Sequence, residues 1–238
     1  MTRRQNKGMG PRMQAVAAES PRYAEPTSLG LFGLAIGCAS LLPVAFGVKE
    51  AFAPEALKTT ALFCLLFGGG CQLLAGLLSF ANKNMLGGTL LTTFSFNWIV
   101  NGWSLSEISQ GRIPSSTVGL SVDLCFLLIF VVMTYAFGYF SRLLMLFLVD
   151  IDVLYIARIA RELTHIPELG LLIAAATVVL MFLALYIACA LVLVNASGKA
   201  IFPIGAPVFK AVALPVAAPA PAAAPILNAD ATMRIDHV

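Results

Sequence analysis

Charged side chains are scarce in this 238-residue chain: 15 Lys and Arg and 12 Asp and Glu make up 11% of it, against roughly 25% in an ordinary globular domain. That deficit excludes a soluble fold, and 59% hydrophobic residues with a mean hydropathy of +0.89 make the chain an integral membrane protein. Histidine is nearly missing, with His165 near a helix end and His237 beside the chain terminus, so no metal site is expected. The five cysteines, Cys38, Cys64, Cys71, Cys125 and Cys189, show no C-x-x-C spacing and each lies in an apolar run, where they read as small apolar fillers. There is no H-E-x-x-H, no P-loop and no G-x-S-x-G, which argues against an enzyme and against a bound cofactor. The short alternating strands of a transmembrane barrel are also missing. The net charge of +3 comes mainly from Arg3, Arg4, Lys7, Arg12 and Arg22, a topology signal and not a nucleic-acid footprint.

What is present is a series of long apolar runs, each near the length of about 20 residues that a helix needs to cross lipid. They predict an all-α polytopic bundle with spans over Leu29 to Val48, Leu57 to Phe80, Leu86 to Trp103, Val118 to Phe140, Arg142 to Ala160 and Leu169 to Val194. The first opens after Pro26-Thr27-Ser28, whose two hydroxyls are competent to cap a helix. Residues 1–24 read as a basic, disordered tail without the apolar core of a secretory signal. Residues 25–207 form the six-helix domain, and 208–238 an Ala/Pro-rich disordered tail. Six spans place both termini on one side, and the Lys and Arg excess there predicts a multi-pass plasma-membrane protein with cytoplasmic termini.

Polar residues inside these runs are few enough to sort by helical spacing. Gly68, Gln72, Ala75, Gly76 and Ser79 share one face of the second span. Small residues there let backbones approach closely, and the single amide, Gln72, either bonds across that seam or reaches a solute. On the third span Phe94, Asn97 and Asn101 align at i, i+3 and i+7, a stripe of one ring and two amides that reads as a path lining, since unpartnered amides are costly toward lipid. Asp150 and Asp152 lie mid-span, where a carboxyl is by default a functional-site hypothesis. They point about 200° apart around Ile151, so they flank a path as possible proton stops instead of forming one carboxyl pair.

The succession E-P-T-S-L-G-L, G-G-G-C-Q-L-L-A-G-L-L-S-F, N-x-x-G-G-T, F-x-x-N-W and G-K-A-I-F-P-I-G, spread in order over Glu25 to Pro207, resembles the acetate uptake transporter family of the succinate-acetate permease and Ato type. The resemblance implies six-helix protomers, each with its own central path, assembled as a homohexamer in the bilayer. It implies passage of acetate or similar small monocarboxylates, sometimes succinate, with protons as coupling partners in some members. The mouth motif N-P-A-P-L-G-L falls on Glu25, Pro26, Thr27, Ser28, Leu29, Gly30 and Leu31, so that its leading amide is here an acid. The apolar constriction of Phe, Tyr and Leu falls on Leu34, Phe94 and Ile151, without the tyrosine hydroxyl; Asn97, one turn beyond Phe94, is the expected substitute donor. Two other readings stay open from the residues: a path repurposed for another small solute such as ammonium, bicarbonate or water, and a membrane assembly or sensory protein that transports nothing.

Overall fold

The computed structural model describes residues 23–210, so of the tails expected over 1–24 and 208–238 all but residues 23–24 and 208–210 lie outside the described residues. Among the described residues there are six long helices, α1 (Thr27–Ala45), α2 (Pro54–Ala81), α3 (Met85–Ser109), α4 (Ser116–Phe137), α5 (Arg142–Thr164) and α6 (Leu169–Ser197), with one short 3-10 turn over Lys49–Phe52. No strand occurs among the described residues. Four of these, α1, α2, α4 and α6, are long and apolar enough to cross a membrane by length and composition. The two that fall short, α3 and α5, carry the polar residues singled out above.

The bundle is apolar inside and out. Leu34, Cys64, Phe130, Leu148 and Ile151 are completely buried, while Leu128 and Val132 on α4 and Leu171 on α6 are more than half exposed. Water on that outer surface would be costly, so lipid or another protein is the solvent it fits. In space α4 packs on α5, α5 on α6, α6 on α1, α1 on the middle of α2, and α2 on α3. Side chains close the ring between α3 and α4, where the Phe94 and Phe130 rings meet edge-on at 5.2 Å.

The small-residue face of α2 is a packing seam: Gly68, Gln72, Ala75, Gly76 and Ser79 are all buried. A methyl on Gly68 would sit 2.4 Å from the Trp98 indole of α3, and one on Gly33 of α1 would sit 2.4 Å from the Phe67 carbonyl of α2. The three helices meet at distances only glycine permits. Along this seam α2 widens into a π-helical stretch over Cys64–Cys71, a form enriched at functional sites.

Two local expectations change. The start of α1 is capped by a carboxylate and not by the hydroxyls of Thr27 and Ser28: the Thr27 backbone N–H donates to Glu25 Oε1 at 3.1 Å, and the Thr27 hydroxyl donates to the same oxygen. An anion suits the positive end of the helix. The domain also runs past Pro207. The strap after α6 folds back so that Ile204 and Ala206 carbonyls accept from Leu143 and Arg142 N–H, at 3.3 and 3.1 Å, satisfying donors that the first turn of α5 leaves orphaned. Val208 N–H then bonds the Gly138 carbonyl at 2.8 Å, and the Phe209 ring packs against Tyr135 and Tyr139.

Candidate functional site

Two cavities enter the bundle from opposite ends. The near cavity, at the end of the bundle that carries Glu25 and Ile204, has a volume of ≈ 220 Å³; the far cavity has ≈ 290 Å³. They share one lining residue, Phe94. Helices α1, α3, α5 and α6 show the same division, while α2 and α4 line the near cavity alone. On α1 the near cavity takes Leu31 and the far one Cys38, with Leu34 between them; on α5 it takes Phe147 and the far one Leu154, with Ile151 between them. Leu34 and Ile151 are 0% exposed, Phe94 is 5%, and all three belong to one buried cluster. Apolar side chains packed at this density leave no water-sized opening.

Two further residues complete this plug that the sequence reading did not single out. Ala184 of α6 is fully buried midway between Leu180 of the far cavity and Ile187 of the near one. Phe130 of α4, also fully buried, supports Phe94 edge-on and stacks on Tyr155 at 5.5 Å. The Tyr155 hydroxyl is buried without a hydrogen-bond partner. An aromatic hydroxyl thus stands one ring behind Phe94, and no signal in the linear sequence links positions 61 residues apart.

The amide stripe keeps its expected company. Asn97 and Asn101 line the far cavity one and two turns beyond Phe94, joined by Ser104 from α3 and Thr177 from α6. Trp98 lines it as well, with a buried indole N–H that has no partner. Gln72 goes to the other side: it is 1% exposed, lines the near cavity, and leaves Oε1 buried and unpartnered. It sits in the seam and at the cavity wall at once.

Of the mouth residues, Glu25 and Leu31 line the near cavity. Pro26 is buried, Gly30 packs against Leu91 of α3, and Leu29 turns outward. The Glu25 carboxylate is engaged at the start of α1, so it meets the cavity as a bonded group. The two aspartates line neither cavity. Asp152 Oδ2 accepts from the Thr134 hydroxyl of α4 at 2.7 Å, while Asp150 Oδ2 is buried with no partner. They flank Ile151 from behind the plug instead of facing the path.

The far cavity also holds two cations, Arg158 just inside the predicted fifth span and Arg161 just past its end. Arg158 pairs with Asp123 at 3.0 Å and lies 5.5 Å from the centre of the Tyr155 ring. Both arginines also border a wider basin of ≈ 740 Å³ at the far end. From the basin inward the wall thus presents two guanidinium groups, then neutral hydrogen-bonding side chains, then the buried apolar layer.

No family model matches the sequence, and no curated protein sequence matches it. Among solved structures the fold is similar to that of the bacterial acetate channel SatP, with a TM-score of 0.69 and 20% sequence identity over 77% of this chain and 100% of that one.

Proposed function

We propose that this chain forms a membrane passage for acetate and similar small monocarboxylates, succinate among the larger candidates, running through each protomer and interrupted by Leu34, Phe94 and Ile151. The observation that supports this reading most directly is the meeting of two opposed cavities at one side chain, Phe94. A small solute-channel fold, shared with the acetate channel at 20% identity, is consistent with it. In the far cavity, Asn97 and Asn101 donate hydrogen bonds without a charge and so replace water around a carboxylate. The apolar barrier then excludes bulk water and hydrated ions, as hydrophobic narrowings do by dewetting.

Crossing that barrier as a bare anion is costly, and a proton moving with the anion lowers the cost. Asp150 is the carboxyl suited to that step: it adjoins Ile151 from behind the barrier and, unlike Asp152, which accepts from Thr134, it has no hydrogen-bond partner among the described residues. Several protomers associating through outward apolar faces such as that of α4, in a plasma membrane with cytoplasmic termini, complete the reading.

Labelled acetate uptake into proteoliposomes tests it. An inward acid gradient is expected to raise uptake, and Asp150→Asn to remove that dependence while leaving voltage-driven flux. A protein that moves no monocarboxylate, even with Phe94→Tyr, would be an assembly or sensory protein instead. Flux of ammonium, bicarbonate or water alone in a solute panel would mark a repurposed path.

A further inference from the structure

The far mouth differs from the near mouth in one respect that the passage reading does not require: it has two guanidinium groups at a throat. Arg161 and Arg158 each line both the far cavity and the outer basin. The acids of this region, Asp123 and Glu162, line the basin alone, and no Asp or Glu lines the far cavity. A solute passing from basin to cavity therefore leaves the carboxylates behind and meets guanidinium followed by amide.

The two arginines are not equivalent. Arg158 is engaged by Asp123 at 3.0 Å and held over Tyr155. Arg161 forms no ion pair among the described residues. It lies in the last turn of α5, where His165, in the left-handed conformation at φ 56°, donates its N–H back to the Arg161 carbonyl at 2.9 Å and ends the helix. A cation at a helix C-terminus is favoured by the dipole, and the fork of a guanidinium matches a carboxylate bidentately. Its planar donors are the unused ones in the throat.

Resting on the reading of the two cavities as a solute path, we infer that Arg161 is a specificity-determining residue that captures the carboxylate group of a small monocarboxylate anion at the far throat, so that from this side the solute is taken up charged. Arg158 is the second donor, exchanged from Asp123 as the anion arrives. Asn101 and Asn97 then receive the carboxylate deeper in the cavity.

Acetate and its neutral isostere acetamide, titrated against the purified full chain by saturation-transfer NMR, separate charge capture from simple cavity filling. Arg161→Gln is expected to weaken acetate about tenfold, the scale of one charge-assisted hydrogen-bonding group, and to leave acetamide unchanged. Arg161→Lys, which keeps the charge but loses the bidentate fork, is expected to fall between Arg161→Gln and the wild type, about threefold weaker for acetate than the wild type. Unchanged acetate affinity in Arg161→Gln, or acetamide falling in step with acetate, overturns the inference. Arg161-dependent acetate binding without any acetate flux keeps the capture site and removes the path. Phe94-dependent flux with acetate affinity indifferent to Arg161→Gln keeps the path and removes the capture site.

Discussion

The near and far cavities share α1, α3, α5 and α6 on either side of the same plug, with α2 and α4 lining the near one alone, and they offer a solute different chemistry. The near wall is chiefly apolar, from Leu31, Leu86 and Leu90 to Phe137 and Phe147; of its polar groups Gln72 keeps a free amide oxygen, while Asn84, Thr27 and the Glu25 carboxylate are already bonded at helix starts. The far wall carries two amides, two hydroxyl side chains and two arginines. The difference follows from where helices end relative to their apolar runs. At the far end α3 continues to Ser109 and α5 to Thr164, beyond the apolar runs that close near Trp103 and Ala160. Those extra turns carry Ser104 and Arg161 into the vestibule wall.

The change that breaks the comparison most completely is removal of the side chain the cavities share. Phe94→Ala is expected to join them and to raise acetate flux in proteoliposomes on the order of tenfold, equivalent to about 1.4 kcal/mol off the barrier; flux left as it was would place the barrier elsewhere. A narrower change sharpens the contrast on the far side. Asn101→Leu keeps the shape of the wall and deletes one donor, so flux is expected to fall about fivefold, the worth of a single net hydrogen bond of about 1 kcal/mol. Gln72→Leu on the near side, tested in the same assay, is expected to cost less than Asn101→Leu, because the near wall offers few partners for a carboxylate. The smallest effect belongs to Glu25→Gln. An amide oxygen at that position can still accept from Thr27, and flux is expected to stay within about twofold, the scale of one charge at an exposed helix end; a larger change would make Glu25 a selecting group at the near mouth.

Much of the fold was legible because apolar runs of lipid-crossing length leave few alternatives, and all six predicted spans correspond to helices. Their ends were less so, since hydropathy reports the edge of the lipid and not the end of hydrogen bonding. For that reason Arg161 falls just outside the span predicted to end at Ala160 and Arg158 just inside it, although the helix runs on to Thr164 and holds both in register with Leu154 on the cavity wall. The alignment of Leu34, Phe94 and Ile151 came from the order of motifs, and the structure brings all three into one buried layer between the cavities. Phe130 and Ala184 complete that layer from α4 and α6 without any polar or glycine marker to distinguish them from their apolar neighbours. The aspartates were legible as buried carboxyls, but spacing alone leaves open which neighbour each one meets. Thr134 opposite Asp152 decides that for one of them, and the decision lies in the packing of α4 on α5.

The strap after α6 sets an order in time. Ser141, Arg142 and Leu143 bond to carbonyls of Ile204 and Ala206, more than 60 residues later in the chain. A protein made from its N-terminus thus has α5 synthesised, with its first backbone donors lacking their eventual partners, well before the ribosome reaches the strap. Ile204 also lines the near cavity. Among the described residues the near mouth is therefore the last part to be finished: a nascent chain stopped after Gly198 would still lack Ile204 from that wall.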